Sequence, residues 1–89
     1  MMPWLRCPAA DRIPATTADR RTVAWMAATL PTGCTPREAA VAAQAWYRER
    51  GGSPVLGVPL GPPAWRRRLR LLWLAGLVEK HGWYRVAKG

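Results

Sequence analysis

Acidic and catalytic side chains are scarce in this chain. Its 89 residues hold five carboxylates (Asp11, Asp19, Glu38, Glu49 and Glu79), one histidine, His81, and one serine, Ser53. General acid–base chemistry needs titratable groups positioned together, and a lone imidazole among scattered carboxylates is poor material for it. Ser53 precedes Pro54 and carries no triad signature. Cys7 and Cys34 lack the paired C-x2-C spacing of a structural zinc site. The stretch GGSPVLGVPLG over 51–61 lacks the Lys-Ser/Thr ending of a phosphate loop. The expectation is a protein that is not an enzyme, with no metal and no cofactor.

Long apolar runs are missing as well. The longest uncharged one, Leu71–Val78, falls far short of the roughly 20 residues that cross a bilayer. The start, MMPWLRCPAADR, has no apolar signal-peptide core. No membrane partner is expected, and a cytoplasmic location with reduced cysteines is. There is no internal repeat and no low-complexity segment. The length suits one domain, and Gly89 follows the last predicted strand so closely that no second domain is expected.

What is abundant is positive charge. Fourteen Lys and Arg against five acids give +9. Such an excess repels itself unless a polyanion offsets it, so nucleic acid, an anionic surface or an acidic protein are the partner classes. Only Lys80 and Lys88 are lysines; the rest are arginines, whose forked guanidinium grips phosphate or base edges with two bonds. A GC-rich genome would raise Arg, Ala, Gly and Pro together, which discounts the arginine bias as functional evidence but does not remove the charge.

In chain order, residues 1–15 read as a basic arm. Pro3, Pro8 and Pro14 forbid a regular helix, and Trp4, Leu5 and Ile13 are available to dock it. Residues 16–89 form the predicted domain. A first helix spans Thr16–Leu30, opened by a Thr16–Asp19 capping box, with a stripe of Val23, Met26, Ala27 and Leu30 and with Trp25 off its centre. Thr32–Cys34 offers a short strand. A second helix spans Thr35–Arg50, where Thr35-Pro36-Arg37-Glu38 is a full capping box and Ala39, Ala42, Ala43 and Trp46 line one side. Residues 53–61 form an apolar loop holding Pro54 and Pro59.

The stretch that organises the rest is GPPAWRRRLRLLWLAGLVEKHGWYRVAK. Pro62 and Pro63 suit a helix start, and Gly76 suits a helix stop. Between them Trp65, Leu69, Leu72, Trp73 and Gly76 form one stripe, and Arg66, Arg67 and Arg70 project opposite it, with Arg68 at the border. Leu77–Lys80 and Trp83–Ala87 are short strand-forming runs around a two-residue turn, His81-Gly82. Four of the six tryptophans fall on predicted helices and read as core; Trp4 and Trp83 are less committed.

Helix, glycine, leucine and basic hairpin in that order resemble the recognition helix and wing of the winged helix-turn-helix superfamily, over Ala64–Val86. The loop at 53–61 departs from that pattern, whose compact members join the two helices by a three- or four-residue turn. The resemblance implies an α+β fold of three helices with a C-terminal hairpin wing, and binding to double-stranded DNA. Helix 3 would enter the major groove with Arg66, Arg67, Arg70 and Arg68. The hairpin would touch backbone or minor groove through Lys80, His81 and Arg85. Thr35 and Arg37 would meet phosphate at the second helix start. A nucleoid-associated regulator or accessory factor of a phage or mobile element fits this size. Two other readings stay open: a protein-interaction module, and RNA binding. Monomer and homodimer also stay open.

Overall fold

The computed structural model describes residues 3–50 and 61–87. The expected loop at 53–60 lies outside the described residues. A 3-10 turn, Ala9–Asp11, precedes helix α1 (Thr17–Thr29), helix α2 (Pro36–Glu49), helix α3 (Pro62–Leu74) and strands β1 (Val78–Lys80) and β2 (Tyr84–Val86). The fold is α+β, three helices and then an antiparallel hairpin, and is compatible with a winged-helix shape.

The helix boundaries follow from local chemistry. At α1, the Thr16 hydroxyl accepts from the Asp19 N–H and the Asp19 carboxylate accepts from the Thr16 N–H, both at 3.0 Å. At α2, Thr35 and Glu38 make the same exchange at 3.0 and 3.2 Å, with Pro36 at the first helical position. Replacing Thr35 by alanine is expected to lower stability by about 1 kcal/mol, read as a shift in denaturant midpoint at unchanged slope. Helix α3 starts on Pro62-Pro63 and ends on Gly76, whose φ of 74° few other residues adopt comfortably. There the Gly76 N–H bonds Trp73 C=O at 2.9 Å and the Leu77 N–H reaches back to Leu72 C=O at 3.0 Å. That double closure is the Schellman arrangement, and it turns the chain directly into β1.

The core lies where α2 packs on α3 and the hairpin closes beneath them. Trp25, Met26, Cys34, Ala39, Ala40, Ala43, Trp65, Leu69, Leu72 and Val78 are buried. The α3 stripe sits as its spacing predicts: Trp65, Leu69 and Leu72 are fully covered and Trp73 partly. On α2, Ala39 and Ala43 are buried and Ala42 and Trp46 pack against the core, joined by Ala40.

The inner face of α1 is broader than the predicted stripe, of which Met26 is buried and Val23 and Leu30 pack against the core. Asp19, Thr22, Trp25 and Met26 are buried, whereas Ala27 is exposed. Trp25 therefore stands on the face rather than off it. The reason is that two polar residues there are internally satisfied. The Thr22 hydroxyl donates to Ala18 C=O at 2.8 Å, and Asp19 is bound by its cap. A polar group with its partner supplied can be buried at little cost, so letter polarity understated the width of the face.

The hairpin turn also differs. The register pairs Val78 with Val86, Glu79 with Arg85 and Lys80 with Tyr84. That leaves three residues, His81, Gly82 and Trp83, in the turn instead of two, with Gly82 at the apex and the His81 N–H bonded to Trp83 C=O at 2.8 Å. The pairing puts Val78, Lys80, Tyr84 and Val86 on one face and Glu79 and Arg85 on the other.

Both outer edges of the hairpin are occupied. Cys34 pairs with Tyr84 through bonds of 2.7 and 2.9 Å, so the short strand expected at Thr32–Cys34 reduces to one bridge. Gly33 permits it: φ is 105°, and a Cβ there would sit 2.8 Å from Tyr84 O. On the other side Leu5 pairs with Lys80, each N–H reaching the other's carbonyl at 2.8 Å. The arm is thus docked by backbone at Leu5 and, as expected, by the Trp4 side chain, whose ring lies against the hairpin. The Leu5 and Ile13 side chains, expected to anchor it, are exposed, and buried Cys7 sits between them in sequence. Ile13 contributes its N–H to Leu74 C=O at 3.0 Å, and Arg12 Nε donates to Cys7 C=O at 2.9 Å.

Candidate nucleic-acid interface

Helix α3 carries the densest charge. With Trp65, Leu69 and Leu72 facing inward, the helical period points Arg67 and Leu74 directly away from the core. Arg66 and Arg70 lie toward the hairpin flank, and Arg68 toward α1. Arg66, Arg67 and Arg70 are exposed, and no carboxylate among the described residues pairs with them. Arg68 behaves otherwise. Its Nη1 lies 3.4 Å from Asp19 Oδ1, where it ties α3 to α1 across a largely buried carboxylate.

Between α3 and the hairpin lies a cleft of about 400 Å³, lined by Arg66, Arg70, Trp73, Leu74, Lys80 and Tyr84. Three cations converge on it, and among the described residues no carboxylate lines it. The Lys80 ammonium sits 5.4 Å from the Trp73 ring centre, a cation–π contact in place of an acidic partner. On the far flank of α3, Arg67 and Arg68 border a smaller hollow with Ala64 and Leu71.

The remaining predicted residues are elsewhere. Arg85 lies on the opposite hairpin face from Lys80. Its Nε donates to Glu79 Oε1 at 3.0 Å, and its guanidinium carbon stands 4.3 Å above the Trp4 ring. Arg6 Nε is 4.0 Å from the other Glu79 oxygen. His81 and Trp83 both lie against Trp4, at 5.6 and 5.5 Å between ring centres. This second face is aromatic and internally charge-paired. At the start of α2, the Thr35 hydroxyl is engaged in its cap, and Glu38 puts a carboxylate where an incoming phosphate would meet it. Arg37 is exposed and borders an apolar groove of about 470 Å³ with Leu30, Glu38, Val41, Ala42 and Ala45.

The structure therefore joins Arg66, Arg70 and Lys80 in one cleft, leaves Arg67 on the crest, and separates Arg68, Arg85, His81, Thr35 and Arg37 from it. The residues that sequence reasoning missed are Trp73, Leu74 and Tyr84 as cleft walls, and Leu5 behind them. The spacing 66, 70, 73, 74 carried a signal for the first two. The pairing of Leu5 had none.

Nucleophilic chemistry finds no support at the buried thiol. Burial, and secondarily the charge of Glu38, push Cys34 up to about 11, so it stays a protonated thiol through the neutral range. Among the described residues, no three His, Cys, Asp or Glu side chains gather as metal ligands, and no helix is long and apolar enough to cross a membrane.

These features define a small α+β domain whose third helix presents arginines beside a basic hairpin. The chain matches no family model, no curated protein and no solved structure.

Proposed function

We propose that this chain is a winged-helix domain that binds double-stranded DNA, as a small regulator or accessory factor. Helix α3 enters the major groove with Arg67 and Arg70 toward bases or phosphates, and the hairpin serves as the wing. The observation that carries this reading is the uncompensated guanidinium set on the outer side of α3, held on a helix whose inner stripe is locked in the core. A groove-binding helix needs that pairing of rigid anchor and cationic crest. Arg68 and Arg85, which have acidic partners, act as struts more than as contacts.

The test is a duplex titration at several salt concentrations. Neutralising five to eight phosphates gives a log–log slope of about −4 to −7. Undetectable binding at low salt, or binding indifferent to salt, removes the proposal. Stronger competition by an RNA duplex than by DNA replaces it with RNA binding. A protein partner is favoured by one separate observation, the apolar groove along α2, in which Val41 is 62% exposed. Capture of one stoichiometric protein, with no duplex shift, selects that reading.

A further inference from the structure

One backbone carbonyl joins the two walls of the cationic cleft. Leu5 C=O accepts the Lys80 N–H at 2.8 Å and the Trp73 Nε1–H at 3.1 Å. The first bond fixes β1 and the second fixes α3. The Leu5 N–H returns to Lys80 C=O at 2.8 Å, so the backbone of Lys80 is held on both sides. Leu5 is 52% exposed, and its bonds to both walls are made by its peptide group. The arm thereby bonds to Trp73 and Lys80 at once.

The wall that results has an unusual charge arrangement. Arg66 and Arg70, one helical turn apart, face Lys80 across the cleft. The two acids that bond to arginines of α3 and the hairpin are diverted: Glu79 points to the opposite hairpin face to hold Arg85 and Arg6, and Asp19 holds Arg68 on the other flank of α3. Three like charges kept together repel one another, and among the described residues no carboxylate offsets this; the Trp73 ring beside Lys80 does so in part. An anion seated among them would offset it. The volume, about 400 Å³, exceeds a lone phosphate, and Trp73, Leu74 and Tyr84 give it an apolar side. Those dimensions suit a phosphodiester with its flanking sugars better than a small free anion.

We propose that the cleft between α3 and the hairpin is a phosphate-binding site for one phosphodiester of a nucleic-acid backbone, gripped by Arg66, Arg70 and Lys80, with the Leu5 carbonyl as the joint that sets its width. The site itself follows from the cleft. Assigning its phosphate to a backbone rests on the DNA reading, and the test separates the two. Leu5, Trp73 and Tyr84 position the cations and shape the wall; the three cations make the contact.

The experiment follows the Trp73 indole N–H by NMR in the full chain, since that proton is bonded to the joint. The probes are thymidylyl-thymidine, which has a single phosphodiester, inorganic phosphate, and thymidine monophosphate. A saturable shift with the dinucleotide is expected, weaker with inorganic phosphate. It should weaken by about tenfold or more in the Arg66→Ala/Arg70→Ala double variant, and stay unchanged in Arg21→Ala, which removes an exposed charge from α1. The other indole signals report that each variant is folded. A resonance that never moves, or moves equally in the double variant, overturns the site. Tighter binding of the monophosphate or inorganic phosphate than of the dinucleotide overturns the backbone assignment and leaves a free-anion site. Because no duplex is used, a chain that fails to bind DNA but passes here loses the DNA reading alone. A duplex that binds while this indole stays still removes the cleft alone.

Discussion

Replacing Arg66, Arg67 and Arg70 together by alanine is expected to weaken duplex binding by roughly 10²–10⁴-fold, at about 1–3 kcal/mol per lost contact with less than full additivity. The salt slope should become shallower by roughly two to three, because each cation that meets phosphate contributes about 0.9 to it. The fold should survive. All three side chains are exposed, and no described carboxylate loses a partner. Surface changes of this kind fall within about 0.5 kcal/mol, and removing like charges relieves repulsion. Arg68→Ala is the informative control. It also removes one charge from α3, but that charge is spent on Asp19, 3.4 Å away and largely buried. Its loss should appear in the denaturation midpoint, with a small change in duplex affinity. If Arg68→Ala weakens binding as much as the triple variant while stability holds, net charge rather than the crest of α3 governs association, and the groove-entering helix is wrong.

That contrast also marks how far the sequence could be read. Helix starts and stops were legible because their signals are local: Thr16 with Asp19, Thr35 with Glu38, Pro62-Pro63 and Gly76 each act within a few residues. The outward setting of Arg66, Arg67 and Arg70 was legible for the same reason, since the Trp65–Leu69–Leu72 stripe fixes the rotation of the helix. The destination of Arg68 was not, because its partner is 49 residues away. The pairing of Leu5 with Lys80 and of Cys34 with Tyr84 was equally remote, and a single bridge leaves no strand-length pattern to read. The turn failed at finer grain. His81-Gly82 satisfies a two-residue turn locally, but Tyr84 is held at once by Lys80 and by Cys34 on its other edge, and that fixed register moves the apex to Gly82. For the candidate site, charge was therefore readable and geometry was not. The cations came from α3 and β1, whereas the carbonyl bonded to both Trp73 and Lys80 came from the arm, read as a docked basic terminus with Leu5 among its side-chain anchors.

The stripe that aims those arginines predicts the largest loss of stability. Trp65→Ala is expected to cost roughly 3–5 kcal/mol, the range for emptying a buried aromatic site. A domain of this size has a total of only about 5–15 kcal/mol, so the variant should be largely or wholly unfolded well before the wild type in urea. Trp65 is fully buried, and its ring centre is 5.5 Å from that of Trp25 at an interplanar angle of 32°. Both indole N–H groups are buried, with no hydrogen-bond partner among the described residues. An unpartnered buried donor costs about 1–3 kcal/mol, so this pair is retained for volume and ring contact rather than for polarity. Phenylalanine tests that reasoning. Trp65→Phe loses part of the volume but also removes an orphan donor, and the two effects oppose, so it should be far milder than alanine. The measurement is the urea midpoint of each variant at constant slope. If alanine and phenylalanine cost the same, the ring volume at 65 is not what holds α3 down. If alanine costs no more than a surface change, about 0.5 kcal/mol, the helix is anchored elsewhere, and the fixed rotation that turns Arg66, Arg67 and Arg70 outward loses its physical cause.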